Sequence, residues 1–271
     1  MGKMGKTIGI ISIKGGVGKT TLAASLAADL ANNHRKKILL VDANYSAPNL
    51  GLHMDIIKPE KTIHDLLFGK TRIQNTIHRK FGVDVIPGSF FFDRSLNFLK
   101  LRDKISKLSK NYDFTIIDSS PALNEEILSV ILASDNLFVV TTPDYPTLFC
   151  SLRAARLAKQ RGKPISGIIV NKIRNPKYEV NLADIEDSTE IPVVAKIPDD
   201  EINVRALFER VPASIYKRNS KFACELSKFS SALAGEKEKK SIFNKLFSLG
   251  PKRDEINRTK LKQDFYRKVF D

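Results

Sequence analysis

The residues best suited to chemistry form one glycine-rich segment near the start of the chain. The segment reads Lys14-Gly15-Gly16-Val17-Gly18-Lys19-Thr20-Thr21. Glycines at this density let backbone N–H groups converge on phosphate oxygens, and a helix that begins here adds partial positive charge. Lys19 can reach the β- and γ-phosphates of a nucleotide, and the Thr20 hydroxyl can ligate Mg²⁺. The segment therefore predicts a loop that binds ATP with Mg²⁺, with Gly15 to Thr21 around the phosphates.

The general phosphate-loop pattern, Gly-x-x-x-x-Gly-Lys-[Ser/Thr], is matched at its end but not at its start. Gly18-Lys19-Thr20 fits the pattern, whereas Ile13 stands where the first glycine is expected. Gly15 and Gly16 supply the flexibility instead. An apolar run precedes the segment and a helical pattern follows it, and this strand–loop–helix context supports the motif.

Two carboxylates follow short apolar runs and complete a predicted metal site. Asp118 follows the run Phe114–Ile117, and Asp42 follows the run Ile38–Val41. A carboxylate at a buried strand end is costly unless a cation or hydrogen bonds compensate for it. Mg²⁺, acting through its water ligands, would do so, and we predict that it is held by Thr20, Asp42 and Asp118. The alternative for Asp118 is an ordinary helix N-cap before Pro121.

The elements that must position these residues alternate between apolar β-branched runs and helical patterns. The predicted strands are Thr7–Ile13, Lys37–Val41, Val83–Ile86, Phe114–Ile117, Asn136–Thr141, Ile165–Val170 and Val193–Ile197. The predicted helices are Leu22–Leu30, Leu96–Ser109, Leu148–Gln160 before Gly162, and Phe222–Leu233 before Gly235. Continuous apolar runs suit strands that are covered on both faces. We therefore expect an α/β fold with a doubly wound, mainly parallel sheet over residues 1–235.

The composition limits the partners without choosing among them. The chain of 271 residues has 45 Lys and Arg against 30 Asp and Glu, which gives a net charge of +15. This excess favours nucleic acid, anionic lipid or a phosphate-rich ligand, although a solvated basic surface would also account for it. Cys150 and Cys224 form no CxxC pair and are expected to be buried apolar residues in a reducing cytoplasm. We expect no secretory signal, because the apolar run Ile8–Ile13 ends at Lys14, and no apolar stretch approaches the roughly 20 residues that a spanning helix needs.

These motifs together resemble the MinD/ParA family, whose phosphate loop carries an early lysine at the position of Lys14. The resemblance runs from Thr7 to about Gly235 and includes a switch I at Ile38–Asn44 and a switch II at Phe114–Pro121. It implies that Lys14 reaches the phosphates bound by the partner in an ATP-dependent homodimer. There it would act like an arginine finger.

The resemblance also implies a site for the adenine ring. Two loops match the family here, Val170-Asn171-Lys172 and Ile197-Pro198-Asp199-Asp200. Asn171 would read the adenine edge with its amide, Pro198 would pack on the ring, and Asp200 belongs to the same predicted site.

One residue departs from the family pattern at switch I. The family usually has Asp-x-Asp there, whereas this chain reads Asp42-Ala43-Asn44. An amide can position water but cannot accept its proton. We therefore predict a slow ATPase, and its expected catalytic residues are Lys14, Lys19, Asp42, Asn44 and Asp118. Because phosphoryl transfer has a loose transition state, positioning alone can suffice. Hydrolysis could be slow or nearly absent, and replacement of Asn44 by Asp is expected to raise it.

A basic C-terminal tail, residues 236–271, follows the globular pattern. Five apolar residues fall on one side of a predicted helix, namely Ile242, Phe243, Leu246, Phe247 and Leu249. With lysines beside them they suit an amphipathic helix on an anionic membrane surface, and MinD proteins carry a similar segment. The alternative is a helix docked on the protein's own core or on a partner. The role of residues 250–271 stays open.

The leading hypothesis is a MinD-like ATPase switch that dimerises with ATP, binds the inner face of the cell membrane from the cytoplasm and positions division or other machinery. A protein partner that activates hydrolysis is possible. The first rival is a ParA-like ATPase that binds DNA without reading its sequence. The others are a flagellar-number regulator and a metal-cluster carrier, the latter disfavoured because there is no CxxC.

Overall fold

The structure is a computed structural model, and it describes residues 5–92, 95–163 and 165–236. Its strands are β1 (Lys6–Ile11), β2 (Ile38–Ala43), β3 (His78–Lys80), β4 (Val83–Ile86), β5 (Phe114–Ser119), β6 (Asn136–Thr141), β7 (Ile165–Ile173) and β8 (Val193–Pro198). They form one sheet in the order β3-β4-β2-β5-β1-β6-β7-β8. Neighbouring strands are parallel except for the antiparallel pair β3 and β4. The predicted mainly parallel sheet is therefore confirmed.

Helices cover both faces of the sheet. They are α1 (Lys19–Asn32), α2 (Leu50–His53), α3 (Ile63–Phe68), α4 (Leu101–Ser109), α5 (Glu125–Ala133), α6 (Tyr145–Gln160), α7 (Leu182–Thr189), α8 (Ile202–Phe208), α9 (Ala213–Tyr216) and α10 (Lys221–Ala234). Short 3₁₀ turns lie at Ile73–Thr76, Phe98–Lys100 and Pro176–Tyr178. No helix in the described part of the chain is both long and apolar enough to cross a membrane.

Two apolar cores, one on each face, account for the continuous apolar strands. In β2, Leu40 packs in the core of α1 and α10, whereas Leu39 and Val41 pack in the core of α4, α5 and α6. Successive side chains of a strand point to opposite faces, so a strand covered on both faces needs apolar residues throughout. This arrangement places the carboxyl ends of β1, β2 and β5 side by side, where the predicted site residues lie.

Several boundaries differ from the predicted ones. Helix α1 begins at Lys19, three residues before the predicted start, because the loop feeds directly into it. The predicted helix Leu96–Ser109 is a 3₁₀ turn followed by α4. The prediction omitted β3, which is short and charged, and α5, whose β-branched run lacks a clear helical period. It also omitted the short helices α2, α3, α7, α8 and α9.

The expectation that both cysteines are buried is wrong. Cys224 is exposed and Cys150 is half-buried. Each lies on a helix whose core-facing positions are taken by other residues, such as Phe222 and Leu226 on α10 and Leu148 on α6.

Candidate functional site

The glycine-rich segment forms a tight loop between β1 and α1. Gly16 and Gly18 have φ of +78° and +89°, a region that side-chain-bearing residues rarely adopt. A Cβ on Gly18 would also lie 2.5 Å from the Asn171 amide nitrogen. Gly18 is the N-cap of α1, and no side chain caps the helix there. The first N–H groups of α1 and its positive end thus face the loop, as an anion-binding site requires.

Two lysines of the loop differ in burial and in partner. Lys19 is buried, and its Nζ lies 3.5 Å from the carbonyl oxygen of Lys14. Burial lowers the pKa of Lys19, and the carboxylate of Asp118 opposes that shift. The Lys14 side chain is 43% exposed, and its Nζ lies 3.7 Å from an Asp144 oxygen. Lys19 is therefore held inside the loop, whereas Lys14 lies at the surface.

Asp42 and Asp118 face each other in register on the adjacent strands β2 and β5, and both are buried. Burial, reinforced by the charge of Asp118, raises the pKa of Asp42 to about 8. Burial also raises the pKa of Asp118 to about 6, against the lowering effects of the Thr20 hydroxyl and of Lys19. Two carboxylates this close disfavour each other's ionised form unless a cation joins them.

The two carboxylates differ in their hydrogen bonds. Asp42 accepts from the backbone N–H groups of Asn44 and Leu50, each at 3.1 Å. Neither oxygen of Asp118 has a hydrogen-bond donor in normal geometry among the described residues. The Thr20 hydroxyl is close enough to lower the pKa of Asp118 but does not complete such a bond. A buried carboxylate with two unpaired oxygens beside a hydroxyl fits Mg²⁺ bound through water.

A metal centre made of protein ligands alone is not present in residues 5–92, 95–163 and 165–236. No group of three or more His, Cys, Asp and Glu there is arranged to hold an ion. The predicted set of Thr20, Asp42 and Asp118 contributes one hydroxyl and two carboxylates. Such a set suits Mg²⁺, which keeps several waters and takes further oxygens from a phosphate.

Asn44 is fixed by its own loop. Its backbone N–H donates to Asp42, and its Nδ2 donates to the carbonyl oxygen of Ala47 at 2.6 Å. In the described structure no donor bonds to its Oδ1. With Nδ2 committed to Ala47, the amide keeps Oδ1 as a free acceptor two residues after Asp42, which is the polarity needed to orient a water molecule.

Of the three predicted adenine-side residues, only Asn171, on β7, bonds to the glycine-rich loop in the described structure. Asn171 donates from Nδ2 to the carbonyl oxygen of Val17 at 2.8 Å, so its Oδ1 and its second N–H are left for a base. Pro198 ends β8 and lines a cavity of about 560 Å³ with Pro143 and Ile173. Asp200 accepts from the backbone N–H groups of Ile202 and Phe222, so its carboxylate is occupied in positioning α8 and α10.

Three site residues were missed by the sequence reasoning. Lys172, with φ of +58°, donates from Nζ to the carbonyl oxygen of Gly16 at 2.8 Å. Asp144 contacts Lys14, and Glu126 accepts a hydrogen bond from Ser46, which lies two residues after the predicted switch I. Lys172 could have been found, because it directly follows Asn171. Asp144 and Glu126 gave no signal, since neither belongs to a motif.

The five tail residues predicted to contact a membrane lie outside the described residues, which end at Glu236. At that point the Glu236 carboxylate lies 3.0 Å from Nδ1 of His34, at the end of α1. Glu236 therefore lies near the amino end of the sheet, opposite the glycine-rich loop.

Comparisons with known proteins agree with this geometry. A family model described as an AAA domain, AAA_31, matches residues 5–150. An uncharacterized ATP-binding protein of Methanocaldococcus jannaschii is 32% identical over 232 residues, which cover 84% of this chain and 88% of that protein.

Two solved structures are similar over most of the chain. The cell division ATPase MinD of Pyrococcus furiosus is 30% identical with a TM-score of 0.79, covering 84% of this chain and 98% of that one. The septum site-determining protein MinD of Pyrococcus horikoshii, complexed with Mg-ADP, is 29% identical with a TM-score of 0.79. There the coverage is 84% of this chain and 95% of the other.

Proposed function

Because the chain belongs to the AAA_31 family of AAA domains, and with it to the MinD/ParA P-loop ATPases, we propose that it is an ATP-driven molecular switch. Buried Asp118, with two unpaired oxygens beside Thr20 and Lys19, is the observation that carries this proposal. The relative complexed with Mg-ADP supports the same cofactors here.

Different side chains have different roles in the proposed hydrolysis of ATP. Lys19 and the N–H groups at the start of α1 compensate the charge of the β- and γ-phosphates. Asn44 accepts a hydrogen bond from the attacking water through its free Oδ1 and so orients it. Thr20, Asp42 and Asp118 would hold Mg²⁺, which supplies positive charge next to the phosphates. Asn44 can orient the attacking water but cannot accept its proton. Turnover should therefore be slow.

Lys14 supports a second element of the proposal, an ATP-dependent homodimer. Its side chain is about half-exposed, and its ion pair with Asp144 is a surface pair of the kind worth only about 0–1 kcal/mol. A second copy bound across the nucleotide can compete for the ammonium. There Lys14 would add positive charge where the transition state gains negative charge.

The third element is reversible membrane association through the tail. Each apolar side chain of Ile242–Leu249 gains at most ~1.5–3 kcal/mol on burial, so one tail binds weakly. Two tails in one dimer bind far more tightly because the second is held near the surface by the first. ATP would therefore control the membrane affinity, as expected of a protein that positions division or other machinery.

Co-sedimentation with vesicles of phosphatidylglycerol and phosphatidylcholine tests the membrane proposal. We expect binding in Mg-ATP and much less in Mg-ADP, and we expect truncation after Gly235 to abolish it. Phe243→Glu should act like the truncation. Ser248→Glu is the matched control, because it adds the same charge on the other side of the predicted helix.

The competing outcomes of this experiment are distinct. If the tail docks on the domain, truncation lowers the melting temperature and no nucleotide drives vesicle binding. Sedimentation with DNA in place of vesicles, again with and without ATP, tests the second candidate, a ParA-like DNA-binding ATPase. The observation that favours this candidate is the net charge of +15, which suits the phosphates of DNA as well as those of anionic lipid.

A further inference from the structure

The switch I loop is tied to the helix that follows switch II. Ser46 lies on the surface two residues after Asn44, and its hydroxyl donates to an oxygen of Glu126 on α5. Glu126 is buried, with 1% of its surface exposed. A surface serine just after the predicted switch I thus bonds to an interior carboxylate on the helix that follows the predicted switch II.

Tyr45, between Asn44 and Ser46, makes the same connection from inside the protein. Its hydroxyl lies 3.4 Å from the Ser129 hydroxyl of α5, and its ring stacks on Phe98 at 4.8 Å. His64 bonds through Nε2 to the carbonyl oxygen of Tyr45 at 2.9 Å. The backbone on the C-terminal side of Asn44 is therefore held by α5 and by α3.

Burial of the Glu126 carboxylate costs folding free energy, and packing alone does not explain why this residue is there. Its Oε2 is buried and meets no donor within the described residues. A half-paired buried carboxylate is costly, and an amide or apolar side chain would fill this space without that penalty. The start of α5 reduces the cost, because Glu126 lies in the first turn, where Asn124 caps the helix and the helix dipole favours an anion.

We propose that Glu126 is a positioning residue for ATP hydrolysis, which acts through Ser46 to hold Asn44 in place. Ser46 ties the loop to α5, and Asn44 bonds to Ala47 on the other side of Ser46. The amide of Asn44 is thereby held with its Nδ2 on Ala47 and its Oδ1 free to orient water. This inference rests on the proposed ATPase function and explains how an amide can serve there.

The test compares four full-length proteins with Mg-ATP: the wild type, Ser46→Ala, Ser46→Thr and Glu126→Gln. Loss of one hydrogen bond to a charged group should lower kcat about tenfold in Ser46→Ala, with the ATP dissociation constant unchanged. Ser46→Thr restores the donor and should stay within about threefold of the wild type, whereas Glu126→Gln replaces the charged acceptor with a neutral one and should lower kcat severalfold. Ser106→Ala, an exposed serine of α4, is the matched control.

Backbone amide hydrogen exchange over residues 44–50, measured in Mg-ATP, decides the matter even where turnover is very slow. Faster exchange in Ser46→Ala than in Ser46→Thr supports the inference. Equal exchange together with unchanged kcat in Ser46→Ala overturns it, as does a fall in kcat that is matched by weaker ATP binding. A wild-type protein that fails to bind ATP overturns the proposed function instead, so the two failures are distinguishable.

Discussion

The Lys14 ammonium lies 3.7 Å from the carboxylate of Asp144 in its own chain, and Asp144 is also the N-cap of α6. The carboxylate accepts from the N–H of Thr147 at 2.9 Å and from the hydroxyls of Thr142 and Thr147. These bonds fix Asp144, so the mobile partner of the pair is Lys14. Lys14, which we propose acts on a second copy of the protein, is thus held in its own chain only by a weak ion pair whose fixed member is Asp144.

Asp144→Asn should therefore favour the ATP dimer. An asparagine keeps the helix cap, which is worth about 1 kcal/mol, but it no longer attracts Lys14. We expect dimers in Mg-ATP at a severalfold lower protein concentration than for the wild type, with an unchanged melting temperature. Analytical ultracentrifugation measures this. Lys14→Ala should bind ATP but remain monomeric, and a Lys14→Ala dimer would refute the role given to this lysine.

Lys19→Ala should abolish nucleotide binding rather than dimerisation alone. The substitution removes the buried ammonium expected at the β- and γ-phosphates and leaves Asp118 without its positive neighbour. Charge-assisted hydrogen bonds contribute about 1.5–3 kcal/mol each, so two of them predict a loss of at least about a hundredfold in ATP affinity. Titration with a fluorescent ATP analogue measures it. Lys107→Ala, on the exposed face of α4, should bind like the wild type.

Much of this site was predictable from local sequence, because a phosphate-binding loop is formed by residues that are adjacent in the chain. Gly18, Lys19 and Asp118 were found in this way, and the register that sets Asp118 beside Asp42 follows from parallel strands. The contacts of Lys14 with Asp144 and of Ser46 with Glu126 were not predictable. Each joins residues 80 or more positions apart in the chain, and no spacing rule connects them.

Asn44→Asp should not raise turnover, although the sequence alone suggested that it would. The Asn44 amide donates to the carbonyl oxygen of Ala47 at 2.6 Å, and an aspartate would place an oxygen there instead. It would also add a third carboxylate next to Asp42 and Asp118. We expect a loss of about 1–3 kcal/mol in unfolding free energy, which thermal and denaturant melts would show. Steady-state phosphate release above the wild-type rate would contradict this expectation.

The raised pKa values of Asp42 and Asp118 predict how the stability of the nucleotide-free protein depends on pH. The pKa of Asp42 is about 8 in the folded protein against 3.8 without the fold, so between these values the folded state holds more protons. The Asp42 contribution to stability therefore falls as pH rises from 3.8 to about 8, and Asp118 adds to this up to about 6. Mg²⁺ with nucleotide should offset the loss, since it requires the ionised carboxylates.

A comparison of the wild type with Asp42→Asn separates the effect of Asp42 on the pH dependence of stability from the effects of other titrating groups. Buried His53, whose pKa is lowered to about 4, has the opposite influence, because its contribution to stability rises with pH up to 6.5. Melting temperatures from about pH 5 to about pH 8 should therefore fall less steeply for Asp42→Asn than for the wild type. Asp103→Asn, an exposed carboxylate of α4, should follow the wild-type slope. Equal slopes for Asp42→Asn and the wild type would mean that Asp42 is ionised throughout this range, and that the site carries its two charges without a cation.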